Sequence, residues 1–342
     1  MNNEPYKVSI CIPIYGVEQY IARCAESLFE QTYHNIEYIF VNDCTQDKSV
    51  DILMQVLSKY QVRKPQVKII NHKYNRGLAA ARNTGIDAVT SDYVMHVDSD
   101  DWIERNAVEL LVKKQIETGA DYVMANHIQN LGTYRIFWER PHIVNPRQLS
   151  LSLIKRYMPI NVYGQLFHIS LYRNHEIRVA EGVNMGEDFQ QVPRLAYYAT
   201  QIAIVDEFIY HNENTNKASY TRSSFNINKW EQVWSSTQII IDFCQEKGEN
   251  FVQAANFLRF KTAANSLITL TKGKLYPIEY KRMSDIVNAR RDLWKSMPVT
   301  QQACFYLSNI YMVAVYVKAA RILRFALNKM YKKIRHHDIV KP

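Results

Sequence analysis

The first 130 residues alternate short runs of apolar, β-branched residues with segments of helical periodicity. Four runs are predicted to be buried strands: Val8 to Ile14, Ile36 to Val41, Val67 to Ile70 and Tyr93 to Val97. Helical patterns lie between them, near residues 18–30, 48–60 and 77–89. This alternation is typical of βαβ units. The sequence therefore predicts an α/β fold with a mostly parallel central sheet flanked by helices.

Polar or turn residues follow each predicted strand. They are Tyr15-Gly16, Asn42-Asp43, Asn71-His72 and Asp98-Ser99-Asp100. Ligands of open α/β sheets bind outside the carboxyl ends of the strands. We therefore expect these four clusters to meet in one crevice.

The pattern changes along the rest of the chain. Short strands are predicted at Asp121 to Ala125 and Ile202 to Val205, among irregular, aromatic-rich segments that we expect to receive a second substrate. Beyond about residue 225 the pattern is helical, with only two of the ten glycines. We predict one domain over residues 1–215 and a helical subdomain over residues 216–342.

The charge of the chain is concentrated near one end. The 342 residues contain 42 Lys and Arg against 33 Asp and Glu, a formal net charge of +9. Residues 311–342 hold eight basic residues and one Asp, which leaves a net +2 for the other 310 residues. Because a nucleic-acid binder usually spreads basic residues over a face with aromatic side chains between them, we expect no nucleic-acid partner.

Two readings remain open for the basic segment after residue 317. Apolar residues recur there at spacings of three and four, with basic residues largely on the other side, which predicts an amphipathic helix. In the first interpretation the helix packs on the protein and its basic face is solvated. In the second, which we favour, the helix lies on an anionic membrane surface. The uncharged stretch 303–317 has 15 residues, whereas a membrane span needs about 20.

The remaining compositional signals indicate a location. The five cysteines are scattered without a C-x-x-C pair, which argues against a disulfide scaffold or a zinc ribbon and favours a reducing compartment. The first residues lack the pattern of a signal peptide. We expect a cytoplasmic protein, peripheral on the inner face of the cell membrane.

Three carboxylates follow the fourth strand, at Asp98, Asp100 and Asp101. They repel one another unless a positive charge lies between them. A divalent cation such as Mg²⁺ or Mn²⁺ accepts carboxylate and phosphate oxygens. On an extended segment Asp98 and Asp100 point the same way and Asp101 the other. The alternative is a polar loop in which Asp101 caps a helix starting near Glu104.

Two further motifs follow the second and third strands. Asp43 is placed to accept a hydrogen bond from a base or a ribose, whereas Asp47 is better explained as a helix cap. In the Ala-rich segment that begins at Asn75, Arg76 and Arg82 either face a diphosphate or serve packing.

A fourth motif, Gly186-Glu187-Asp188, lies some 90 residues after Asp98. Taken alone, an acidic pair at a helix start is ordinarily a favourable charge on the helix dipole.

Together and in this order, the four motifs resemble the family 2 inverting glycosyltransferases of the bacterial surface-polysaccharide type, which have a GT-A fold. The resemblance covers about residues 6–215. The matching segments are Val8 to Tyr15 with the first strand, Asn42 to Asp47 with the D-D-G-S-T-D turn, Asn75-Arg76-Gly77 and Ala81 to Gly85 with N-x-G and A-R-N-x-G, Asp98-Ser99-Asp100 with D-x-D, and Glu187-Asp188 with the E-D pair.

The resemblance implies roles for individual residues. Asp188 would be the catalytic base, with Glu187 orienting the acceptor. Asp100 and Asp98 would hold Mn²⁺ or Mg²⁺, with His211 as a further candidate. The residues implied to contact the donor are Pro13, Tyr15, Glu18, Asp43, Arg76, Arg82, Asp98 and Ser99.

The same resemblance implies the reaction. A nucleotide-binding half, residues 1–110, would hold a nucleotide-diphosphate sugar, with UDP favoured, and an acceptor half, residues 111–215, would bind a lipid-linked or saccharide acceptor. One sugar would be transferred with inversion, in exopolysaccharide, capsule or lipopolysaccharide synthesis.

Two alternatives stay open. A sugar-nucleotide pyrophosphorylase shares the sheet and the acidic metal site, but it needs a Gly-rich basic loop after the first strand, where this chain has Gly16 and Glu18. An inactive carbohydrate-binding relative that acts as a membrane-associated scaffold would be expected to have lost the acidic residues, which are present.

Overall fold

A sheet of nine strands forms the centre of the N-terminal unit, within a computed structural model that describes residues 4–216, 225–271, 275–307, 309–320 and 322. The chain divides into two compact units, residues 1–224 and 225–342. The strands are β1 (Val8–Ile14), β2 (Ile36–Asn42), β3 (Val67–Asn71), β4 (Tyr93–His96), β5 (Trp102–Ile103), β6 (Tyr122–Asn130), β7 (Arg135–Trp138), β8 (Leu166–His168) and β9 (Ile202–Glu213).

The strand order is β3-β2-β1-β4-β8-β6-β9-β5, and β7 pairs with β6. Strands β1 to β4 are parallel to their neighbours within that group, as the βαβ pattern predicts. The other half is mixed, because β8 runs antiparallel to both β4 and β6, whereas β6 and β9 are parallel. The carboxyl ends of β1 to β4 therefore lie at one edge of the sheet, where the polar clusters were expected to meet.

Helices cover both faces of the sheet. They are α1 (Ile21–Phe29), α2 (Ser49–Ser58), α3 (Leu78–Ala88), α4 (Ala107–Thr118), α5 (Pro146–Ile154), α6 (Ser170–Arg173) and α7 (Glu187–Tyr198). Alternate residues of β1 enter two separate cores: Ile10 and Ile12 pack with α1, whereas Cys11 packs with α3. Parallel strands buried on both faces read as continuous apolar runs, which explains why β1 and β2 are so clear in the sequence.

Small residues let α3 lie close against the sheet. A Cβ on Gly85 would lie 3.2 Å from the Cβ of Cys11, and Ala79, Ala80 and Ala81 are buried on the same helix. This close packing fixes the height at which Arg82, also on α3, projects toward the ends of the strands.

In the described residues from 225 onward, the regular elements are helices: α8 (Ile227–Cys244), α9 (Glu249–Thr269), α10 (Pro277–Asn288) and α11 (Val299–Tyr306). Residues 310–320 are also helical. Most of the basic amphipathic helix predicted after residue 317 lies outside the described residues. Across the part of the chain that is described, none of the helices combines the length and apolar character needed to cross a membrane.

Candidate active site

The acidic loop after β4 is held by the carboxyl-terminal part of β9. Asp101 is fully buried, and its carboxylate accepts hydrogen bonds from the Tyr210 hydroxyl (2.5 Å) and from the backbone N–H of Glu213 (2.6 Å). The Tyr210 hydroxyl also accepts from the backbone N–H of Asp98 (3.1 Å). Helix α4 begins at Ala107, so the alternative in which Asp101 caps it is wrong. Asp101 anchors the loop to β9 instead.

One guanidinium links the acidic loop to the start of α7. Arg82 is buried, and its Nη2 lies 2.9 Å from Asp98 Oδ1, 3.4 Å from Glu187 Oε1 and 3.8 Å from Asp188 Oδ1. Burial alone would lower the pKa of Arg82, but the charges of Asp98, Asp188 and Glu187 raise it above its ordinary value. Arg82 therefore braces the acidic loop against the first residues of α7.

One carboxylate oxygen of Asp188 makes no hydrogen bond within the described part of the chain, although it lies 3.8 Å from Arg82 Nη2. Asp188 Oδ1 is buried and accepts no hydrogen bond among the described residues. Burial, reinforced by the charge of Glu187, raises the pKa of Asp188 well above its usual range, and Arg82 opposes that rise. Burial likewise raises the pKa of Glu187. A carboxylate with a raised pKa and an oxygen that accepts no hydrogen bond is suited to take up a proton.

Asp100 lies beside Asp98 in the same loop. Asp100 Oδ2 accepts a hydrogen bond from Asn216 Nδ2 (2.9 Å). Burial, and then the charge of Asp98, raises the pKa of Asp100 to about 6. This electrostatic conflict is the kind that a bound cation relieves, and oxygen donors are those that Mg²⁺ and Mn²⁺ prefer. The pair fits a cation that takes its other ligands from a bound phosphate.

His211 does not join Asp98 and Asp100 in a three-ligand group. Among the described residues, no set of three His, Cys, Asp or Glu side chains is assembled to hold a metal ion. His211 Nε2 lies 2.7 Å from Glu104 Oε1, and its ring stacks on Trp102 at 4.7 Å. The pairing of β5 with β9 sets Trp102 opposite His211, and this register directs the ring toward Glu104.

Asp43 holds the loop between β3 and α3. Its Oδ1 accepts from His72 Nδ1 (2.7 Å) and from the Arg76 backbone N–H (2.8 Å), and its Oδ2 accepts from the Gly77 backbone N–H (2.7 Å). The resemblance predicts that Asp43 also contacts a base. Such a hydrogen bond would have to use a carboxylate lone pair that these three donors do not occupy.

Gly77 connects this loop to the segment before α7. Its φ of +90° is disfavoured for residues with a side chain, and a Cβ there would lie 2.5 Å from Asn184 Nδ2. Asn184 Oδ1 in turn accepts from the Ala79 backbone N–H (3.0 Å). Arg76 extends to Glu181, with 2.7 Å between Nη2 and Oε1. The third and fourth motifs therefore lie side by side, although 105 positions separate the bonded residues.

The three predicted donor contacts in and beside the loop after β1 differ in how far they are open to a ligand. Tyr15 is 54% exposed, so its ring is open to a ligand, whereas Pro13 is partly buried in β1. Glu18 Oε2 accepts from the Lys48 backbone N–H (3.1 Å) at the start of α2. Asp47 accepts from the backbone N–H groups of Glu18 (3.0 Å) and Ser49 (3.1 Å), consistent with its predicted role at that helix start.

Ser99, the other predicted donor contact, is buried between Asp98 and Asp100. Sequence reasoning missed Tyr210, Glu213 and Asn216, whose side chains or backbone hold the acidic loop. Asn212 Nδ2 also donates to Asp101 Oδ2 (3.1 Å). Strand alternation places Tyr210 and Asn212 on one face of β9, and this alternation is the sequence signal by which both could have been found.

Comparison with known proteins identifies the class. Residues 9–177 match the family described as Glycosyl transferase family 2. Glycosyltransferase GlyA of Streptococcus pneumoniae is 28% identical over 241 residues, which cover 67% of this chain and 32% of GlyA. The chain spans about a third of the length of several curated relatives that it matches.

Solved structures share the fold. TarS 1-349 of S. aureus, in complex with UDP-GlcNAc, has a TM-score of 0.65 at 18% identity and covers 92% of this chain and 91% of its own. The mannosyltransferase PcManGT of Pyrobaculum calidifontis, in complex with GDP-Man and Mn²⁺, has a TM-score of 0.53 at 14% identity, with 91% and 86% covered. The expected α/β fold of GT-A type with a helical C-terminal region is confirmed.

The family match and the shared fold point to one class of protein, the glycosyltransferases. Through residues 9–177 the chain belongs to family 2 of these proteins.

Proposed function

We propose that this protein transfers one sugar, with inversion, from a nucleotide-diphosphate sugar to an acceptor hydroxyl, assisted by a divalent cation. The observation that carries the proposal is a cluster of three carboxylates around the guanidinium of Arg82. They are Asp98 of the D-x-D motif and the acidic pair Glu187 and Asp188. Asp98, proposed to act on the donor side, and Glu187 and Asp188, proposed to act on the acceptor side, thus contact the same arginine although they are distant in sequence.

Asp188 acts as the general base. An alcohol is a weak nucleophile at neutral pH, so a carboxylate must take its proton as the new glycosidic bond forms. Asp188 suits this step because its Oδ1 accepts no hydrogen bond from the described residues and its pKa is raised. The electron pair of the acceptor oxygen attacks the anomeric carbon, and the bond to the diphosphate oxygen breaks on the opposite face. Glu187, 3.4 Å from Arg82 through its Oε1, orients the acceptor side of the centre.

Asp98 and Asp100 would hold the cation. When bound, Mn²⁺ or Mg²⁺ supplies positive charge to a diphosphate that gains negative charge as it leaves. Arg82 keeps Asp98 in position, and the bonds from Tyr210 and Glu213 to Asp101 keep the loop in place.

The donor would lie along the loops after β1, β2 and β3. The exposed ring of Tyr15 offers a surface for the base, Asp43 positions the segment that contains Arg76, and Ser99 lies in the acidic loop. We favour UDP, because the neighbour TarS was solved with UDP-GlcNAc, and we propose a lipid-linked or saccharide acceptor in surface-polysaccharide synthesis.

A donor panel tests the proposed function. Melting temperatures would be measured with UDP-, GDP- and CDP-sugars, each with Mn²⁺, Mg²⁺ or chelator, and release of the nucleoside diphosphate would be followed. We expect stabilisation by a UDP-sugar that requires the cation, because ligands that bind only the folded state raise its stability. Binding of a nucleotide sugar without any transfer to saccharide or lipid-linked acceptors would favour the inactive scaffold.

The variant Asp100→Asn tests the cation site. Without divalent cation, the charged Asp100 destabilises the fold, because its pKa is raised to about 6. As pH rises from about 4 to about 6, the wild type should lose more stability than the variant, because the other buried carboxylates with raised pKa values are present in both. Above pH 6 the variant should be more stable by about 1 to 3 kcal/mol, and equal below pH 4.

Thermal melts between pH 4 and pH 7.5 measure this difference. Mn²⁺ should raise the melting temperature of the wild type and leave Asp100→Asn unchanged. Asp206→Asn, at an exposed carboxylate on β9, is the control and should follow the wild type. Equal stabilisation of both variants by Mn²⁺ would show that the cation binds elsewhere.

We also propose a cytoplasmic location on the inner face of the membrane, through the basic C-terminal segment. Replacing Lys329, Lys332, Lys333 and Arg335 by Gln should abolish flotation with phosphatidylglycerol vesicles, since each basic residue near an anionic surface contributes about 1 kcal/mol. Flotation with neutral phosphatidylcholine vesicles is the control. Equal flotation of the variant and the wild type with anionic vesicles would contradict the proposal.

A further inference from the structure

Arg140 follows β7 in the acceptor half and is buried, with 6% of its surface exposed. Its guanidinium donates one hydrogen bond, from Nε to the carbonyl oxygen of Ala125 (3.0 Å). Throughout the described ranges, Arg140 has no carboxylate within ion-pair distance. A buried charge without a counter-charge is costly, so its donors call for an explanation.

Arg63 shows how this fold treats a structural arginine. It is also 6% exposed. Its guanidinium donates at 2.5 to 3.2 Å to the backbone carbonyls of Phe29, Gln31, Tyr33 and His34 and to Gln66 Oε1. Arg140 is equally buried, but among the described residues its guanidinium donates to a single acceptor, the carbonyl oxygen of Ala125. The two terminal nitrogens of Arg140 therefore remain available, in the fork that suits phosphate and carboxylate groups.

His127, on β6, is a second polar group without a partner. It is 6% exposed, and its Nδ1 is buried and makes no hydrogen bond among the described residues. Burial, reinforced by the charge of Arg140, lowers the pKa of His127 to about 3, so the ring is neutral at physiological pH. A neutral imidazole beside a guanidinium can donate to an anion without adding charge.

Aromatic contacts connect this pair to the reaction centre. The ring of Tyr163 meets His127 edge-on at 5.8 Å and stacks on Tyr210 at 4.4 Å. Tyr210 is the residue whose hydroxyl bonds to Asp101 and to the backbone of Asp98. Burial, followed by the charges of Asp101 and Asp188, raises the pKa of Tyr163. Two aromatic rings, those of Tyr163 and Tyr210, thus connect His127 to the acidic loop.

Trp138, on β7, offers an open surface next to His127. The two rings are parallel, with 6.3 Å between centroids, and Trp138 is 37% exposed. Trp138 Nε1 donates to Gln129 Oε1 (3.2 Å), which fixes the indole in place. A flat, immobilised aromatic face beside hydrogen-bonding groups is typical of ligand sites.

We propose that Arg140, His127 and Trp138 form a subsite for an acceptor saccharide that carries an anionic group, a phosphate or a carboxylate. The inference rests on the proposed function and specifies its acceptor. The anion accepts from Arg140 and His127, and the sugar ring lies against Trp138. In the absence of acceptor the buried charge stays uncompensated, and binding of the anion compensates it.

Titration of small probes tests the subsite. Glycerol phosphate, glucuronate and uncharged glucose would be titrated into protein saturated with UDP and Mn²⁺, so that the donor site is already filled, with affinity taken from thermal shifts. The wild type should bind at least one anionic probe more tightly than glucose. Preference for glycerol phosphate identifies a phosphate-bearing acceptor, and preference for glucuronate a uronic acid.

Variants at Arg140 decide the outcome. Arg140→Gln should weaken the anionic probe at least about tenfold and leave UDP affinity unchanged, because it removes charge-assisted hydrogen bonds. Arg140→Lys keeps the charge but loses the fork, so it should weaken the probe severalfold. Arg173→Gln is a surface control, since that exposed arginine also donates to one carbonyl, that of Val89, and the control should bind as the wild type.

Unchanged anion affinity in Arg140→Gln, or in Arg140→Lys should the Gln variant fail to fold, would overturn the proposal. So would a wild type that binds UDP but neither anion. A wild type that does not bind UDP would instead refute the proposed donor, which separates the two failures.

Discussion

Asp188→Asn should lower the turnover number about 10² to 10⁴-fold and leave donor affinity nearly intact. The amide cannot accept the acceptor proton, whereas the UDP-sugar is expected to contact the loops after β1 to β4. Since activity requires the deprotonated carboxylate, wild-type kcat/KM should fall as pH falls through the raised pKa of Asp188. The residual activity of the variant should lack that dependence.

The measurement is steady-state release of the nucleoside diphosphate between pH 5 and pH 9, with calorimetry for the donor. Asp206→Asn, an exposed carboxylate on β9, is the control and should keep wild-type turnover. Melting temperatures of both variants should stay within a few degrees of the wild type. If Asp188→Asn kept more than about a tenth of wild-type turnover, Asp188 would not be the base.

Arg82→Met should destabilise the fold by about 3 to 5 kcal/mol at neutral pH, because breaking a buried ion cluster leaves carboxylates uncompensated. Without the guanidinium, the native-state pKa values of Glu187 and Asp188 rise further. The folded variant then binds more protons than its unfolded chain, so its stability falls as pH rises. The deficit relative to the wild type should therefore shrink toward pH 5.

Urea unfolding at several pH values measures the loss. Arg178→Met is the matched control, because Arg178 pairs with Asp87 at 2.7 Å on an exposed surface, where ion pairs contribute about 0 to 1 kcal/mol. Arg82→Lys should lie between the wild type and Arg82→Met. A loss below 1 kcal/mol that does not vary with pH would contradict the clustered arrangement.

Local patterns in the sequence were sufficient to predict the first half of the fold. Strand β1 has the predicted limits, Val8–Ile14, because a strand buried on both faces is a continuous apolar run bounded by turn residues. Strands β6 and β9 extend beyond their predicted ends, to Asn130 and Glu213. Many of their later residues are polar, and the two strands pair with a shifted register, so no simple alternation marks these residues as strand.

The candidate site was predictable in its residue types but not in its contacts. Asp98, Asp100 and Asp188 were identified from their motifs, whereas the bond between Tyr210 and Asp101 joins residues 109 positions apart. Likewise, the choice for Arg82 between packing and phosphate binding could not be made until α7 was placed beside α3. Long-range pairing, rather than local propensity, decides such contacts.

Arg82 lies beside both Asp188, the proposed base, and Asp98, a proposed cation ligand. Proton uptake by the base and release of the diphosphate are therefore expected to affect each other. In the proposed mechanism Asp188 takes up the acceptor proton, which removes one negative charge beside the guanidinium and makes the local potential more positive. The anionic nucleoside diphosphate is then held more tightly, and its affinity falls once the proton leaves for solvent. By reciprocity, bound diphosphate favours the protonated carboxylate. Resetting the base and emptying the donor site are therefore coupled equilibria, which predicts that product inhibition by UDP weakens as pH rises.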